Sequence, residues 1–162
     1  MDVFAFAMKM EQDGKSYYLQ LAAGTSLSGL KTIFTMLAED EQKHYDVIQT
    51  LKDYSVADNM ADSTALEKAQ NIFAELITDK DTITTMAEDL DGYIHAMKIE
   101  ADSVRFYENV AEKEKDEKAR KILLQIADEE KKHYNIVENI YEFVLKPKYF
   151  LAWGEFSNLK EF

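Results

Sequence analysis

Two short phrases decide the fold: AMKME at 7–11 and EQKHY at 41–45. A near-copy of each follows in the same order, AMKIE at 96–100 and EKKHY at 130–134. In each half the second phrase starts 30 residues after the glutamate that ends the first. Residue n matches residue n+89 in both phrases, without an insertion. The sequence therefore contains one structural unit twice, and we expect two equivalent halves related by approximate two-fold symmetry.

Four long amphipathic helices are predicted from apolar residues that recur at steps of three, four and seven. The chain has 5 Gly and 1 Pro, so few positions interrupt a helix. The first helix is predicted to be capped by Asp2 and to end at Gly24, and the second to be capped by Ser26 or Ser28, with an apolar pattern to Leu51. The third is predicted to be capped by Asp89 or Asp91. The fourth is predicted to start within EKDEKAR (114–120) and to end at Pro147.

The second and third helices are joined by residues 53–90, which are too many for a tight hairpin loop. A polar stretch, DYSVADNMADST (53–64), precedes ALEKAQNIFAELI (65–77), which we expect to be a short helix. The predicted fold is all-α, with a single domain over 1–162. Two helical hairpins form an antiparallel four-helix bundle with a crossover connection that contains the short helix, and a C-terminal tail follows.

Composition narrows the classes of partner and chemistry. The 19 Lys and Arg against 31 Asp and Glu give a net charge of −12, which argues against nucleic acid and anionic membrane surfaces as partners. No apolar run has the length of a membrane span, and no basic region precedes the apolar start as in a signal peptide. With no cysteine, disulfides, cysteine-ligated metals and thiol nucleophiles are excluded. We expect a cytoplasmic protein.

Four glutamates and two histidines of the repeat fall on the apolar helix faces. Glu41 and His44 are three residues apart and project from one side of their helix. Leu37 precedes the glutamate by four residues and Ile48 follows the histidine by four, so the alternative of a solvated face is disfavoured. The complete set is Glu11, Glu41, His44, Glu100, Glu130 and His133.

Four carboxylates in an apolar core require compensation, because an unpaired buried carboxylate costs several kcal/mol and neighbouring carboxylates repel one another. No Lys or Arg repeats on the same faces with the required symmetry. Two divalent cations would balance the four carboxylates, and two imidazoles would complete a nitrogen and oxygen ligand set. The residues therefore predict a dinuclear metal site, which could hold iron, manganese or zinc.

Tyr18 and Tyr107 lie seven residues beyond Glu11 and Glu100 on the same helix faces. Their hydroxyls could donate hydrogen bonds to the ligand carboxylates, or the phenols could supply an electron. The alternative is that both are core tyrosines whose hydroxyls need a polar partner.

The remaining polar and aromatic residues near the repeated phrases are predicted to have no metal-binding role. His95 lies off the ligand face, as a structural or exposed residue. The residues expected to face solvent are Glu39, Asp40, Asp128, Glu129, Lys43, Lys131 and Lys132, and those expected to pack are Tyr45 and Tyr134.

The chain resembles the ferritin-like superfamily, and most closely the rubrerythrin-type diiron proteins. The likeness spans nearly the whole chain and includes the tail PKYFLAWGEFSNLKEF (147–162), which is similar to tails of stand-alone members. It implies two iron ions and makes all six residues of the set their ligands. Glu41 and Glu130 would bridge the ions, while Glu11 with His44 and Glu100 with His133 would each complete one ion.

Two departures from the rubrerythrin pattern bear on activity. Rubrerythrins have an additional glutamate about one turn after the third-helix ligand, used in peroxide reduction, where this chain has Asp102 and Ser103. Full-length rubrerythrins also contain a cysteine-ligated rubredoxin domain that relays electrons, and this chain has no cysteine. The resemblance therefore implies an external electron donor, either a rubredoxin-like protein or a flavoprotein, and we expect a homodimer.

Three functions are compatible with these observations. The first is an oxidoreductase that reduces hydrogen peroxide or dioxygen in oxidative-stress defence. The second is iron handling, as a ferroxidase or a storage protein. The third is a metal-stabilised helical binding module without turnover.

Overall fold

The protein consists mainly of four long helices. The structure is a computed structural model, and it describes residues 2–53, 63–65, 68, 69, 71, 72 and 86–145. The helices are α1 (Val3–Gly24), α2 (Ser28–Lys52), α3 (Leu90–Lys113) and α4 (Glu117–Leu145), and a turn of 3-10 helix, Ala87–Asp89, precedes α3. Within these described residues there is no strand. The prediction of an all-α protein with four long helices is confirmed.

The N-terminal ends of α1 and α2 are capped by different interactions. Asp2 caps α1 as predicted, because its Oδ1 accepts a hydrogen bond from the Ala5 N–H at 2.8 Å. The prediction that Ser26 or Ser28 caps α2 is wrong: Leu27 occupies the cap position and has no capping side-chain bond. Thr25 supplies a local hydrogen bond instead, since its Oγ1 accepts the Leu27 N–H at 3.2 Å.

The observed starts of α3 and α4 agree more closely with the predicted starts. Asp89 stands at the predicted cap position of α3, although its side chain makes no capping hydrogen bond. Asp116 directly precedes α4 and caps it, because its Oδ2 accepts the Ala119 N–H at 3.3 Å. The end predicted at Pro147 and the tail at 147–162 lie outside the described residues.

The predicted crossover helix at 65–77 is described at five positions only, and all five are helical: Ala65, Lys68, Ala69, Asn71 and Ile72. Ala65 and Ala69 are buried against the four-helix core. The other residues of that prediction lie outside the described part of the chain, so the full extent of the short helix stays a prediction.

The helices pair as two hairpins. α1 packs along α2, and α3 packs along α4, through connections of three residues each. Contacts of α1 with α3 and of α2 with α4 join the hairpins. Because each connection is short, the helices of a hairpin are antiparallel neighbours, and equivalent residues of the two halves face one another.

Two apolar clusters fill the bundle and leave a polar layer between them. One contains Tyr18, Phe34, Ala38, Ala96, Ile136 and Phe143, and the other contains Ala7, Ile48, Tyr107, Ile126 and Ala127. On α1, Glu11 lies between Ala7 of the second cluster and Tyr18 of the first. In the other helices the repeated residues likewise lie between residues of the two clusters, so the repeated Glu and His residues form the layer between the clusters.

Among the described residues, no helix combines the length and the apolar character needed to cross a membrane.

Candidate metal centre

The structure brings all six residues of the repeated set together in one buried cluster. They form two overlapping groups, within each of which the donor atoms lie within 4.8 Å of one another. One group is Glu11, Glu41, His44 and Glu130, and the other is Glu41, Glu100, Glu130 and His133. Glu41 and Glu130 belong to both groups, so they stand where two neighbouring ions would share ligands.

The three-residue spacing in α2 and α4 places each glutamate and its histidine on the same inner face. All six side chains are buried, with at most 3% of any residue exposed. The rings of His44 and His133 lie 6.0 Å apart between centroids and are inclined by 21°. The two-fold relation expected from the repeat is therefore present in the cluster.

His44 presents one ring nitrogen to the cluster and the other to a different carboxylate. Its Nδ1 lies 2.8 Å from Glu130 Oε1 and 3.5 Å from Glu11 Oε2. Its Nε2 lies 2.9 Å from Glu129 Oε1. This leaves Nδ1 as the donor that could bind an ion, while Glu129 fixes the orientation of the ring.

His133 has the same arrangement in the other half. Its Nδ1 lies 3.2 Å from Glu41 Oε1 and 3.3 Å from Glu100 Oε1. Its Nε2 lies 2.9 Å from Asp40 Oδ2. Asp40 and Glu129 therefore have the same role, each toward the histidine of the opposite hairpin.

The prediction that Asp40 and Glu129 face solvent is wrong. Glu129 is 2% exposed, and the Asp40 side chain is 15% exposed. Each directly precedes a cluster glutamate on its helix, which turns it toward the facing helix rather than toward water. The repeat contained the signal, because positions 40 and 129 are also related by n+89.

The other predictions for the neighbouring charges are mixed. Glu39 and Asp128 are exposed, as predicted. The prediction of solvent for Lys43 is wrong, because its side chain is 26% exposed and its Nζ lies 3.1 Å from Glu129 Oε1. The buried carboxylate attracts the ammonium group. Lys132, at the equivalent position, is half-buried.

Both tyrosines donate hydrogen bonds to cluster glutamates, each across the bundle. The Tyr18 hydroxyl donates to Glu100 Oε1 at 2.5 Å, and the Tyr107 hydroxyl donates to Glu11 Oε1. Each tyrosine thus serves the glutamate of the other hairpin rather than the one on its own helix. Burial and the adjacent carboxylates raise the pKa of both phenols well above the ordinary value, which keeps them protonated as donors.

Burial and the neighbouring groups strongly shift the pKa values of the four cluster glutamates. Burial and repulsion from neighbouring carboxylates raise the pKa of Glu41 and of Glu130 well above the usual range. Burial also opposes ionisation of Glu11 and Glu100, but hydrogen bonds and the adjacent histidines leave the pKa of both carboxyls below the ordinary value. Among the four cluster glutamates, Glu11 and Glu100 are therefore the ones held as anions.

Both histidines hold protons more tightly than an ordinary imidazole. Burial lowers the pKa of His44 and His133, but nearby carboxylates outweigh burial and raise both pKa values well above the usual range. Protons therefore compensate part of the negative charge of the metal-free cluster, in the place that cations would take.

The donor atoms fit a metal centre. Four buried polar atoms of the cluster make no well-aligned hydrogen bond among the described residues: Glu11 Oε2, His44 Nδ1, Glu100 Oε2 and Glu130 Oε1. His44 Nδ1 and Glu130 Oε1 are close enough for an ion pair, whereas Glu11 Oε2 and Glu100 Oε2 have no hydrogen-bond donor there. Buried polar atoms are normally hydrogen-bonded, so this group of atoms is suited to a bound cation. Carboxylate oxygens and imidazole nitrogens are donors that divalent iron, manganese and zinc accept.

Comparison with protein-family models shows to which family the chain belongs. A family model described as Rubrerythrin matches residues 2–141. The chain belongs to the rubrerythrin family. The match includes all six residues of the cluster, and it confirms the resemblance to ferritin-like diiron-carboxylate proteins drawn from the repeated phrases. Comparisons with curated proteins and with solved structures gave no significant match.

In this rubrerythrin-family chain, the turn of α3 after Glu100 carries no buried carboxylate. Ser103, one turn after Glu100, is buried at 8% exposure. Asp102 is exposed and forms an ion pair with Arg105 at 2.5 Å. His95 is exposed as well, with its ring 4.8 Å from that of Tyr17, so the prediction that it lies off the ligand face is confirmed.

Proposed function

We propose that this chain is a dinuclear metal oxidoreductase that reduces hydrogen peroxide or dioxygen in oxidative-stress defence. The observation that supports the proposal best is the pair of overlapping groups, each with three glutamates and one histidine, which share Glu41 and Glu130. A bundle that only needed an apolar core would not retain four buried carboxylates, because each costs several kcal/mol when unpaired.

The proposed ligand assignment follows the two groups. Glu41 and Glu130 would be shared by both ions, Glu11 and His44 would complete one ion, and Glu100 and His133 would complete the other. We propose iron as the metal, and manganese and zinc are the alternatives that the same donor atoms would accept. The Nδ1 atoms of the histidines are the proposed nitrogen ligands, since each Nε2 is already engaged with Asp40 or Glu129.

Reduction of hydrogen peroxide to two molecules of water consumes two electrons and two protons. A pair of iron ions would supply the two electrons by passing from the ferrous to the ferric state. The protein positions the carboxylates through Tyr18 and Tyr107 and excludes bulk water from the cluster. The low-dielectric surroundings strengthen the attraction between carboxylates and cations, which favours the higher charge of the oxidised pair.

We propose that the electrons come from outside these 162 residues, because they contain no cysteine that could hold a rubredoxin-type iron. The candidates are a rubredoxin-like protein and a flavoprotein. The homodimeric assembly and the cytoplasmic location stay predictions.

Turnover of the iron-loaded protein tests this function. We expect peroxide consumption driven by NADH through a flavoprotein reductase, with one NADH oxidised for each peroxide. Glu41→Gln should reduce the rate to that of free iron, because it removes a shared carboxylate. Asp128→Asn is the matched control, since that exposed side chain lies on α4 away from the cluster. A wild-type rate equal to that of free iron would exclude peroxide reduction.

Iron oxidation is a second candidate function, favoured by the residue at position 103. Serine there leaves the cluster without the additional carboxylate associated with peroxide reduction in rubrerythrins, and ferroxidase activity needs no organic electron donor. Fe(II) oxidation by dioxygen above the rate in buffer, without NADH-dependent peroxide consumption, would favour this function. A cage-sized particle in gel filtration would indicate storage, and the absence of both activities would favour a metal-stabilised binding module.

A further inference from the structure

The two carboxylates that orient the histidines meet at one residue of the crossover segment. The Ser63 hydroxyl donates to Asp40 Oδ2 at 2.5 Å. The Ser63 backbone N–H donates to Glu129 Oε2 at 3.2 Å. A single residue between the two hairpins therefore contacts the outer carboxylates of both halves.

These contacts complete a continuous path from one histidine to the other. Asp40 Oδ2 lies 2.9 Å from His133 Nε2, and Glu129 Oε1 lies 2.9 Å from His44 Nε2. Asp40 and Glu129 are equivalent positions of the repeat, but the crossover occurs once in the chain. Ser63 therefore breaks the two-fold symmetry, because its side chain serves one half and its backbone serves the other.

The two outer carboxylates do not depend equally on Ser63. Lys43 Nζ lies 3.1 Å from Glu129 Oε1 but 3.9 Å from the nearer oxygen of Asp40. Glu129 thus keeps a close ammonium group and a backbone donor whatever side chain stands at position 63. Asp40 has the Ser63 hydroxyl as its short contact on the crossover side, so a change of that side chain acts mainly on Asp40.

We propose that Ser63 is a positioning residue of the metal centre: its hydroxyl orients Asp40, Asp40 orients His133, and the crossover thereby sets the metal affinity of one half-site. That half-site is the group of Glu41, Glu100, Glu130 and His133. The inference rests on the proposed dinuclear centre but not on peroxide reduction. Carboxylates that orient ligating histidines commonly change metal affinity by ten- to a hundredfold when they are lost.

A purely structural role for Ser63 makes a different prediction. The Ser63 hydroxyl also accepts the Ala65 N–H at 3.1 Å, as a capping residue would. Loss of a cap weakens the crossover as a whole, so it would lower the melting temperature of the metal-free protein and affect both half-sites alike. The positioning role affects one half-site and leaves the other unchanged.

Titration of the metal-free protein with Co(II) separates the two roles, because the visible absorption of Co(II) reports each binding step. Ser63→Gly keeps the N–H that Glu129 accepts, and glycine is tolerated at helix caps. We expect one of the two steps to weaken about tenfold, at the lower end of the range for such carboxylates, since serine acts through Asp40. Ser63→Thr should restore the step, and Thr64→Ala, at the exposed neighbouring residue, should leave both steps unchanged.

A double-mutant cycle with Asp40→Ala tests the path itself. Asp40→Ala should weaken the same step as Ser63→Gly, and the double variant should bind Co(II) no more weakly than Asp40→Ala alone. Additive losses, equal weakening of both steps, or unchanged affinity in Ser63→Gly would each overturn the role of Ser63. Failure of the wild-type protein to bind two Co(II) ions would overturn the metal centre, and with it this role.

Discussion

Each histidine of the cluster lies between inner carboxylates and one outer carboxylate. The sequence predicted each inner carboxylate individually, because Glu11, Glu41 and Glu100 share helix faces with apolar neighbours. It did not predict Asp40 and Glu129, since polarity alone assigns an acid beside a buried glutamate to solvent. Only the packing of α2 against α4 shows that these side chains reach the histidine of the opposite helix.

The outer carboxylates should determine metal affinity although they contact no metal. We predict that Asp40→Asn and Glu129→Gln each weaken Fe(II) binding by about ten- to a hundredfold, because the histidine ring loses its charged acceptor. Isothermal titration without oxygen measures the effect. Glu39→Gln and Asp128→Asn are the matched controls, each one residue away and exposed. Equal affinities in the four variants would contradict the assigned role.

The tyrosine hydroxyls should stabilise the metal-free fold through charged acceptors. We predict that Tyr18→Phe and Tyr107→Phe each lower the free energy of unfolding by about 1.5–3 kcal/mol, because a buried carboxylate oxygen loses its donor. Tyr17→Phe is the control, since that hydroxyl donates to the neutral Gly92 carbonyl at 2.7 Å, and it should cost about 1 kcal/mol. Urea unfolding that gives the same cost for all three would argue against the predicted difference.

At the level of helices, periodicity predicted the four long elements and their pairing because amphipathic stripes persist over many turns. Helix ends were less predictable. Asp2 caps α1 as expected, whereas α2 begins after Leu27 without a side-chain cap. Several nearby polar residues can supply the capping hydrogen bond at a helix end, and the starts of α2 and α3 have no such side-chain bond. The contact of Ser63 with Asp40 was not predicted either, because it joins residues 23 positions apart in segments of different structure.

Gly14 in α1 tests how closely the helices approach the cluster. A Cβ at this position would lie 3.4 Å from Glu41 Oε2, which is ordinary contact. We therefore predict that Gly14→Ala raises the free energy of unfolding by about 0.5–1 kcal/mol, the usual gain for replacing glycine within a helix. Urea unfolding of the metal-free protein measures this change.

Gly14→Leu should behave in the opposite way, because the longer side chain would displace the Glu41 carboxylate. We expect weaker binding of both ions in a metal titration, since Glu41 belongs to both groups. Metal affinity unchanged in Gly14→Leu would show that α1 does not approach Glu41 as closely as the structure indicates.

For the whole molecule, the free-energy cost of burying the polar layer couples folding to metal binding. Four carboxylates and two imidazoles interrupt a core that is apolar at both ends. In the metal-free protein this layer is compensated in part by protons, whereas cations would pair with the carboxylates directly. Ligands that bind the folded state alone stabilise it by mass action.

Metal binding should therefore raise the melting temperature. At a free Fe(II) concentration of about one hundred times the dissociation constant, the gain is about 2.7 kcal/mol for each ion bound. For a chain of this length, two such gains correspond to an increase of roughly 10–20 °C. Calorimetry without oxygen, with and without Fe(II), measures the shift. Glu41→Gln should show a smaller increase, and an unchanged wild-type melting temperature would count against a buried metal centre.

The central claim is that two ions share Glu41 and Glu130, and anaerobic titration with Fe(II) tests it most directly. The wild-type protein should saturate at two equivalents per chain, and Glu41→Gln should bind both equivalents more weakly because each ion loses a shared ligand. Saturation at one equivalent or none, or Glu41→Gln that binds two equivalents with wild-type affinity, would contradict the claim.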